Sequence, residues 1–330
     1  MNMNISLSPG VYRFNVTVDL AGLRLDQLLA AAVVGMTRGM ARRLVDLGGV
    51  HVDGRRVRRC SLSAEAGQGV EVHVDGYPLE AFELRPEQVL FHDRHLLALD
   101  KPAGVATQPT PARYQGTLYA ALQKFLGGSG QVSIGMVQRL DRDTSGVIVF
   151  SIHPKAHKGL TEAFSGHRVI KRYLALVSGT LVNEAGEFRS LLARRHSTNR
   201  TVSVERGGKP AVTRYQVLAS RAGTTLVSVE IPTGRSHQIR AHFSEAGHPL
   251  LGDTAYGGPA VVADRPVPRQ MLHAGELHLT HPVSGMPMVL TATPPADFQE
   301  VLQGLGYAAV TPASKSDLSP MVDSYDFSAH

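Results

Sequence analysis

QRLDRDTSGVIVF, residues 138–150, alternates basic and acidic side chains and then runs into an unbroken apolar segment. The apolar half reads as a buried strand, and the charged half as the loop that feeds it, which is where functional residues concentrate. Asp141 and Asp143 stand two apart, so an extended backbone aims them the same way and a turn lets them diverge. Similar short apolar runs recur at LLALDKP (96–102), YLALVSG (173–179) and TLVSVEIP (225–232). These strand signals outnumber long helical patterns and do not alternate with them regularly. That predicts an α+β domain built on a mixed, largely antiparallel sheet with flanking helices, rather than a doubly wound fold.

Upstream, the pattern changes. Thr37 to Leu47 reads as a helix capped by Thr37 and stopped by Gly48 and Gly49, with an apolar stripe of Met40, Ala41, Leu44 and Val45. VHVDGRRV, residues 50–57, reads as a hairpin whose Asp53-Gly54 supplies a tight turn. Between Arg38 and Arg59 lie seven Arg and two Asp, a local charge of +5 with no Lys. A solvated face would explain charge alone, but the exclusive use of Arg, a planar donor fork, favours phosphate contact. Pro78 and Pro86 interrupt Tyr77–Gln88. The organisation expected is a small α/β unit over 1–78, a linker over 79–88, a large domain over 89–306 and a disordered tail over 307–330.

Composition sets the outer bounds. A chain of 330 residues with 43% hydrophobic and 19% charged residues has the make-up of a globular protein of about two domains. The longest apolar run, Leu28 to Val34, is far shorter than the ~20 residues a bilayer span needs. MNMNISLSPG carries no secretory leader, and a lone Cys60 cannot form an internal disulfide, so a cytoplasmic setting is expected. A net charge of +6 admits a polyanionic partner; with no Trp and 6% aromatics, Arg contacts should outweigh base stacking.

A second stretch, IPTGRSHQIRAHFSEAGHPLLGDTAYGG (231–258), reads as a turn followed by a helix from His237 to Ala246, with Ser236 as N-cap and Gly247 as stop. His237 and His242 are five apart, unlike helical zinc ligands, so no metal is expected and Arg240 reads better as a buried ion-pair partner. No phosphate-binding Gly-x4-Gly-Lys-Ser/Thr loop occurs; Gly127-Gly128-Ser129-Gly130 reads as a flexible loop. Asp143-Thr144-Ser145-Gly146 departs from the Asp-Thr-Gly of aspartic proteases, and the Gly-x-Ser-x-Gly elbow of serine hydrolases is missing.

Two resemblances go further. LRLDQLLA (23–30) with TRGMARRLVDLGGVHVDG (37–54) resembles the RNA-binding domain shared with ribosomal protein S-four, with Thr37 for the usual Ser and Asp53 for the usual Asn. LLALDKPAGVATQP (96–109), RLDRDTSGV (139–147), IKRYLALVSG (170–179) and TGRSHQIRAHFSEAGHPLLGD (233–253), with LHA at 272–274, resemble the RluA family of pseudouridine synthases. That resemblance implies isomerisation of uridine to pseudouridine in RNA, without cofactor or metal. It places Asp141 at the catalytic aspartate, as nucleophile toward base or sugar or as the base that starts glycal formation. It makes Arg240 the partner that fixes the aspartate, Tyr173 the ring against the target base and a candidate aid in removing the proton from carbon 5, and Arg139 the wedge that replaces a flipped-out nucleotide. The S-four-like unit would contact RNA through Arg38, Arg42, Arg43, Arg55 and Arg56. A further basic stretch, Phe188 to Lys209 at +5, either lines the RNA path or forms a solvated loop. The family's usual His before Arg-Leu-Asp is here Gln138. The expected partner is RNA, ribosomal RNA of the large subunit first and transfer RNA second, bound by a monomer. The rival reading is a non-catalytic RNA-binding or ribosome-assembly factor on a retained synthase fold.

Overall fold

The computed structural model describes residues 7–127, 133–195 and 198–310. The chain opens with β1 (Gly10–Asn15), α1 (Leu25–Ala32), α2 (Arg38–Leu47), β2 (Val50–Val52), β3 (Arg55–Val57) and β4 (Gly69–Val74). The four strands form one antiparallel sheet in the order β1-β4-β2-β3. The predicted α2 is present, and the Thr37 hydroxyl accepts the Met40 N–H at 3.2 Å as its cap. Asp53 (φ 50°) and Gly54 (φ 72°) make the left-handed pair that the hairpin turn requires. Ahead of α2, α1 buries Leu25, Leu28 and Leu29, spaced at i, i+3 and i+4, against Ala41, Leu44 and Val45.

The second sheet gathers β5 (Val89–His92), β6 (Leu96–Lys101), β7 (Gly135–Met136), β8 (Ser145–Ser151), β9 (Ile170–Ser178), β10 (Ala185–Arg195), β11 (Arg200–Val204), β12 (Lys209–Arg221) and β13 (Thr224–Glu230), with helices α3 (Leu118–Phe125), α4 (Pro154–Ser165) and α5 (Gln238–Glu245). After a small pair, β14 (Val261–Val262) and β15 (Arg265–Pro266), the chain adds β16 (Leu272–Thr280), β17 (Pro287–Thr291) and α6 (Ala296–Gly304). The strand path is β11-β10-β12-β13-β9-β16-β8-β6-β5, with β17 on β16 and β7 on β8. Its pairings are antiparallel except β8 with β16. The mixed α+β architecture expected from the strand runs is therefore found. Both faces are covered, which explains those runs: Leu97, Leu99, Ile148 and Phe150 pack with α5, and Leu96, Ala98, Val147 and Val149 pack with α4.

The basic stretch from Phe188 is a strand hairpin over β10 and β11 rather than an open loop, with Arg189, Arg194 and Arg195 on β10. The chain also stays packed past residue 306: Tyr307 is buried with its hydroxyl on Thr224 and Arg221, and Val310 bonds to Gln299. The expectation of disorder is thus corrected for 307–310, because Tyr307 completes an apolar cluster under α6. The remainder of that expected tail, and the loop over Gly128–Gly130, lie outside the described residues.

A polar seam joins the two sheets. Arg113, 6% exposed, donates to both oxygens of Asp75 at 2.7 and 3.0 Å and to the carbonyls of Tyr77 and Pro78. Leu79 packs against the first core, while Phe82 and Leu84 pack against the second, so the Pro-interrupted segment is held along its length.

Gly146 (φ 111°) sits where β8 meets β16, and a Cβ there would approach the Ala274 carbonyl oxygen to 2.2 Å. Gly146→Ala should therefore disrupt that parallel pairing and lower stability by several kcal/mol, measured by thermal unfolding; a variant as stable as the parent would contradict the packing described.

Candidate active site

The charged run of residues 139–144 forms a turn entering β8, closed by a hydrogen bond from the Thr144 N–H to the Asp141 carbonyl at 3.1 Å. Three carbonyls of this turn are each held by a side chain from elsewhere. Thr107 donates to Leu140 O at 2.7 Å, Lys101 to Arg142 O at 2.8 Å, and Arg269 to Asp143 O at 2.9 Å. Lys101 is fully buried and also donates to the carbonyls of Pro102 and Val105. Burial pushes its ammonium down to about 7, while its three carbonyl partners favour the charged form. On this turn the two aspartates diverge. Asp143 accepts the Tyr77 hydroxyl at 2.7 and 2.9 Å, and Asp141 faces α5.

Helix α5 carries the partner of Asp141. Its N-cap is His237, in the left-handed region at φ 53°, and not the expected Ser236, which is exposed and makes no cap. The chain reverses one residue later than side-chain capping rules foresee, and the cost of a left-handed non-glycine places the imidazole beside the site. Arg240 donates through Nε and Nη2 to both oxygens of Asp253 at 2.6 and 2.8 Å, and through Nη1 to Asp141 at 3.1 Å. Asp253 is 1% exposed at its side chain. Burial alone would lower the Arg240 pKa, but the bonds to Asp253 and the Asp141 charge outweigh it and raise it. The guanidinium also lies 4.7 Å from the Tyr256 ring centre, whose hydroxyl is 3.0 Å from His237 Nδ1. His237 Nε2 is 3.9 Å from Asp141, and burial lowers the imidazole pKa against the pull of that carboxylate.

Tyr173, on β9, is 8% exposed, and its phenol makes no hydrogen bond to the described residues. Burial, reinforced by the Asp141 charge, raises its pKa and keeps it neutral. Arg139 is exposed and donates weakly to Ser236 at 3.4 Å, at the mouth of the same site. Gln138 has its Nε2 buried without a hydrogen-bond partner. The structure thus brings Asp141 and Arg240 into direct contact, places Tyr173 within the field of Asp141, and adds Asp253, His237, Tyr256 and Lys101. Lys101, His237 and Asp253 lay inside the quoted motifs, but nothing in their spacing pointed them at Asp141.

Two His–carboxylate groups stand apart from this site, and neither offers a free ligand set. His281 uses Nε2 on Asp93 and Nδ1 on the N–H groups of Val283 and Ser284. In the His51, Glu71 and His73 group, Glu71 is bound by Arg13 at 2.7 Å and His51 by the Pro111 carbonyl.

The arginines of the N-terminal unit divide in two. Arg24, Arg38 and Arg42, each about half exposed, converge on the fully buried carboxylate of Asp26 at 3.3, 3.3 and 2.9 Å. Arg43 and Arg55 are exposed, Arg43 beside a groove lined by Leu79 and Phe82. Arg56 instead turns into the seam, donating to the Thr110 carbonyl at 2.6 Å against Tyr114, and its Nη1 is buried without a partner. Burial by itself would raise the Asp26 carboxyl, but the three guanidiniums bring it down to about 2. The stability this carries is present above the ordinary value of 3.8 and is lost as pH falls through about 2. Asp26→Asn should remove that acid-dependent step from thermal melts. It should also weaken RNA binding, since the three guanidiniums lose their common anchor; tighter binding by this variant would contradict the arrangement.

Comparison with known proteins agrees with this geometry. The family description "RNA pseudouridylate synthase" matches residues 95–245, and the S4 domain matches residues 23–63. Ribosomal large subunit pseudouridine synthase D of Nitrosomonas europaea is 36% identical over 87% of this chain and 86% of its own length. An uncharacterized RNA pseudouridine synthase of Aquifex aeolicus is 34% identical over 86% of this chain and 93% of its own. Among solved structures, human RNA pseudouridylate synthase domain containing 4 superposes with a TM-score of 0.55 at 26% identity, covering 66% of this chain and 93% of that one. With the motifs, the fold and these relatives in agreement, the chain belongs to the RluA family of RNA pseudouridine synthases and carries an S4 RNA-binding domain.

Proposed function

We propose that this protein converts uridine to pseudouridine in structured RNA, with large-subunit ribosomal RNA as its target and Asp141 as its catalytic carboxylate. The observation that carries the reading is the Asp141 carboxylate held by Arg240 in the field of the neutral Tyr173 phenol. The target follows the name of the Nitrosomonas relative. The presence of Asp141 bonded to Arg240, with Tyr173 within the field of Asp141, favours an enzyme over a binding factor on the same fold.

In the isomerisation the N1–C1′ bond breaks, the uracil turns, a C5–C1′ bond forms, the C5 proton leaves and N1 gains one, so nothing is consumed. Asp141 acts as nucleophile toward the base or the sugar, or as the base that starts glycal formation. Arg240, anchored on Asp253, fixes its rotamer. Tyr173 packs against the base and assists removal of the C5 proton once carbon 5 is joined to the sugar. A stacked uridine cannot reach this cleft, so it is flipped out at a cost of a few kcal/mol. Arg139, exposed at the mouth, fills the vacated space. Arg38 and Arg42, with Arg43 and Arg55, bind phosphates of the surrounding RNA.

Pseudouridine mapping of total RNA at nucleotide resolution, with the gene present, deleted, or replaced by Asp141→Asn, tests this reading. The wild-type gene should restore specific pseudouridines in large-subunit RNA. Purified Asp141→Asn should lose about 10³-fold or more in turnover while largely keeping RNA affinity. An unchanged map on deletion, or full activity in the variant, would refute it.

A further inference from the structure

Buried charges in this protein are partnered almost everywhere. Asp26 has three guanidiniums, Arg113 has Asp75, Arg240 has two carboxylates, and Lys101 has three carbonyls. Among the described residues, Lys171 departs from this pattern. It stands on β9 two positions before Tyr173, so both side chains share one face of the sheet. It is 8% exposed, yet among the described residues nothing accepts a hydrogen bond from its ammonium and no carboxylate pairs with it. Glu230 and Glu276, on the adjoining strands, are both taken by Arg172 at 3.6 and 3.4 Å. The charge that acts on Lys171 is another cation, Arg235, whose Nε is turned to the Pro210 carbonyl at 2.9 Å. Burial and then Arg235 push the Lys171 ammonium down to about 8.

The ammonium is not sealed in. A Cβ on the exposed Gly234 would stand 3.5 Å from Nζ, so Lys171 lies immediately beneath an open turn. The same turn continues through Ser236, which receives Arg139, to His237 beside Asp141. Arg139, Arg235 and Lys171 thus border the turn that leads to the catalytic carboxylate. A buried cation beneath a surface turn that itself bears a second cation, without an anion, disfavours the fold and favours an anionic ligand.

We propose that Lys171 and Arg235 form an anion site that takes a phosphate of the RNA strand flanking the uridine at Asp141. The ammonium acts as a point charge and the guanidinium as a planar donor, a combination suited to the several oxygens of a phosphodiester. This deepens the functional reading above and rests on it. The site would hold the backbone on one side of the flipped nucleotide while Arg139 occupies the other.

The test measures the affinity of full-length protein for an RNA hairpin with a uridine in its loop, as a function of salt, for wild type, Lys171→Met, Lys171→Arg and Arg235→Gln. Lys171→Met should weaken binding about tenfold and lower the slope of log Kd against log salt by about 0.7. Lys171→Arg should restore most of that slope. The melting temperature of Lys171→Met should hold or rise, because an unpartnered buried charge gives way to an apolar chain. Should Lys171→Met fail to fold, Arg235→Gln, on the surface turn, carries the same expectation. Wild-type affinity and slope in folded Lys171→Met, or in Arg235→Gln, would overturn the site. Pseudouridine formation by wild type is scored separately, so failure of the enzymatic reading and failure of the phosphate site are told apart.

Discussion

A buried guanidinium must find anions, and the way Arg240 finds them organises the catalytic end of this protein. Asp253 occupies Nε and Nη2 face-on, which leaves Nη1 to reach across to Asp141. The direction of that last bond depends on where α5 lies. Ile239 and Phe243 seat the helix on the same apolar cluster as Leu97, Ile148 and Tyr173. Core packing, through one arginine, therefore sets the position of a carboxylate at the cleft. The turn bearing Asp141 is fixed independently, because Thr107, Lys101 and Arg269 each hold one of its carbonyls. A reactive group on a loop is thereby given the rigidity of an element.

The same turn reaches the other half of the molecule. Arg142, next to Asp141, pairs with Asp75 at 2.8 Å and lies 4.3 Å from the centre of the Tyr77 ring, and Tyr77 itself bonds Asp143. Asp75 follows the last strand of the N-terminal sheet, so the RNA-binding unit and the catalytic turn share one set of ion pairs. Residues 110–116 complete the seam, with Tyr114 and Gln115 donating to the Leu47 carbonyl at the end of α2. The unit that bears the Asp26 arginine trio and the cleft that bears Asp141 are in this way tied into one polar contact.

Much of this was legible in the sequence, and for identifiable reasons. Strands buried on both faces leave unbroken apolar runs, so β6, β8, β9 and β13 could be read directly. The Thr37 cap, the Gly48 stop and the Asp53-Gly54 turn follow local chemistry. Asp141, Arg240 and Tyr173 came from motif resemblance, since spacing alone could not single them out. What escaped depends on distant partners. Asp253 is an unremarkable loop aspartate until α5 folds back on it. His237 caps its helix in a conformation that propensity disfavours, so the neighbouring Ser236 looked the better cap. Arg56 resembles its neighbours in sequence, but Thr110 and Tyr114, more than fifty residues on, draw it into the seam. Lys171 belongs to the motif stretch IKRYLALVSG, but only the absence of a carboxylate on its face marks it as a cation without a partner.

The central claim is that Asp253, through Arg240, sets the geometry of Asp141. Single-turnover kinetics of folded Asp253→Asn at saturating RNA tests it most directly. The account predicts a fall in rate of about 10²-fold with RNA affinity retained, because a freed Arg240 no longer holds the carboxylate in register. A wild-type rate in that variant would contradict it.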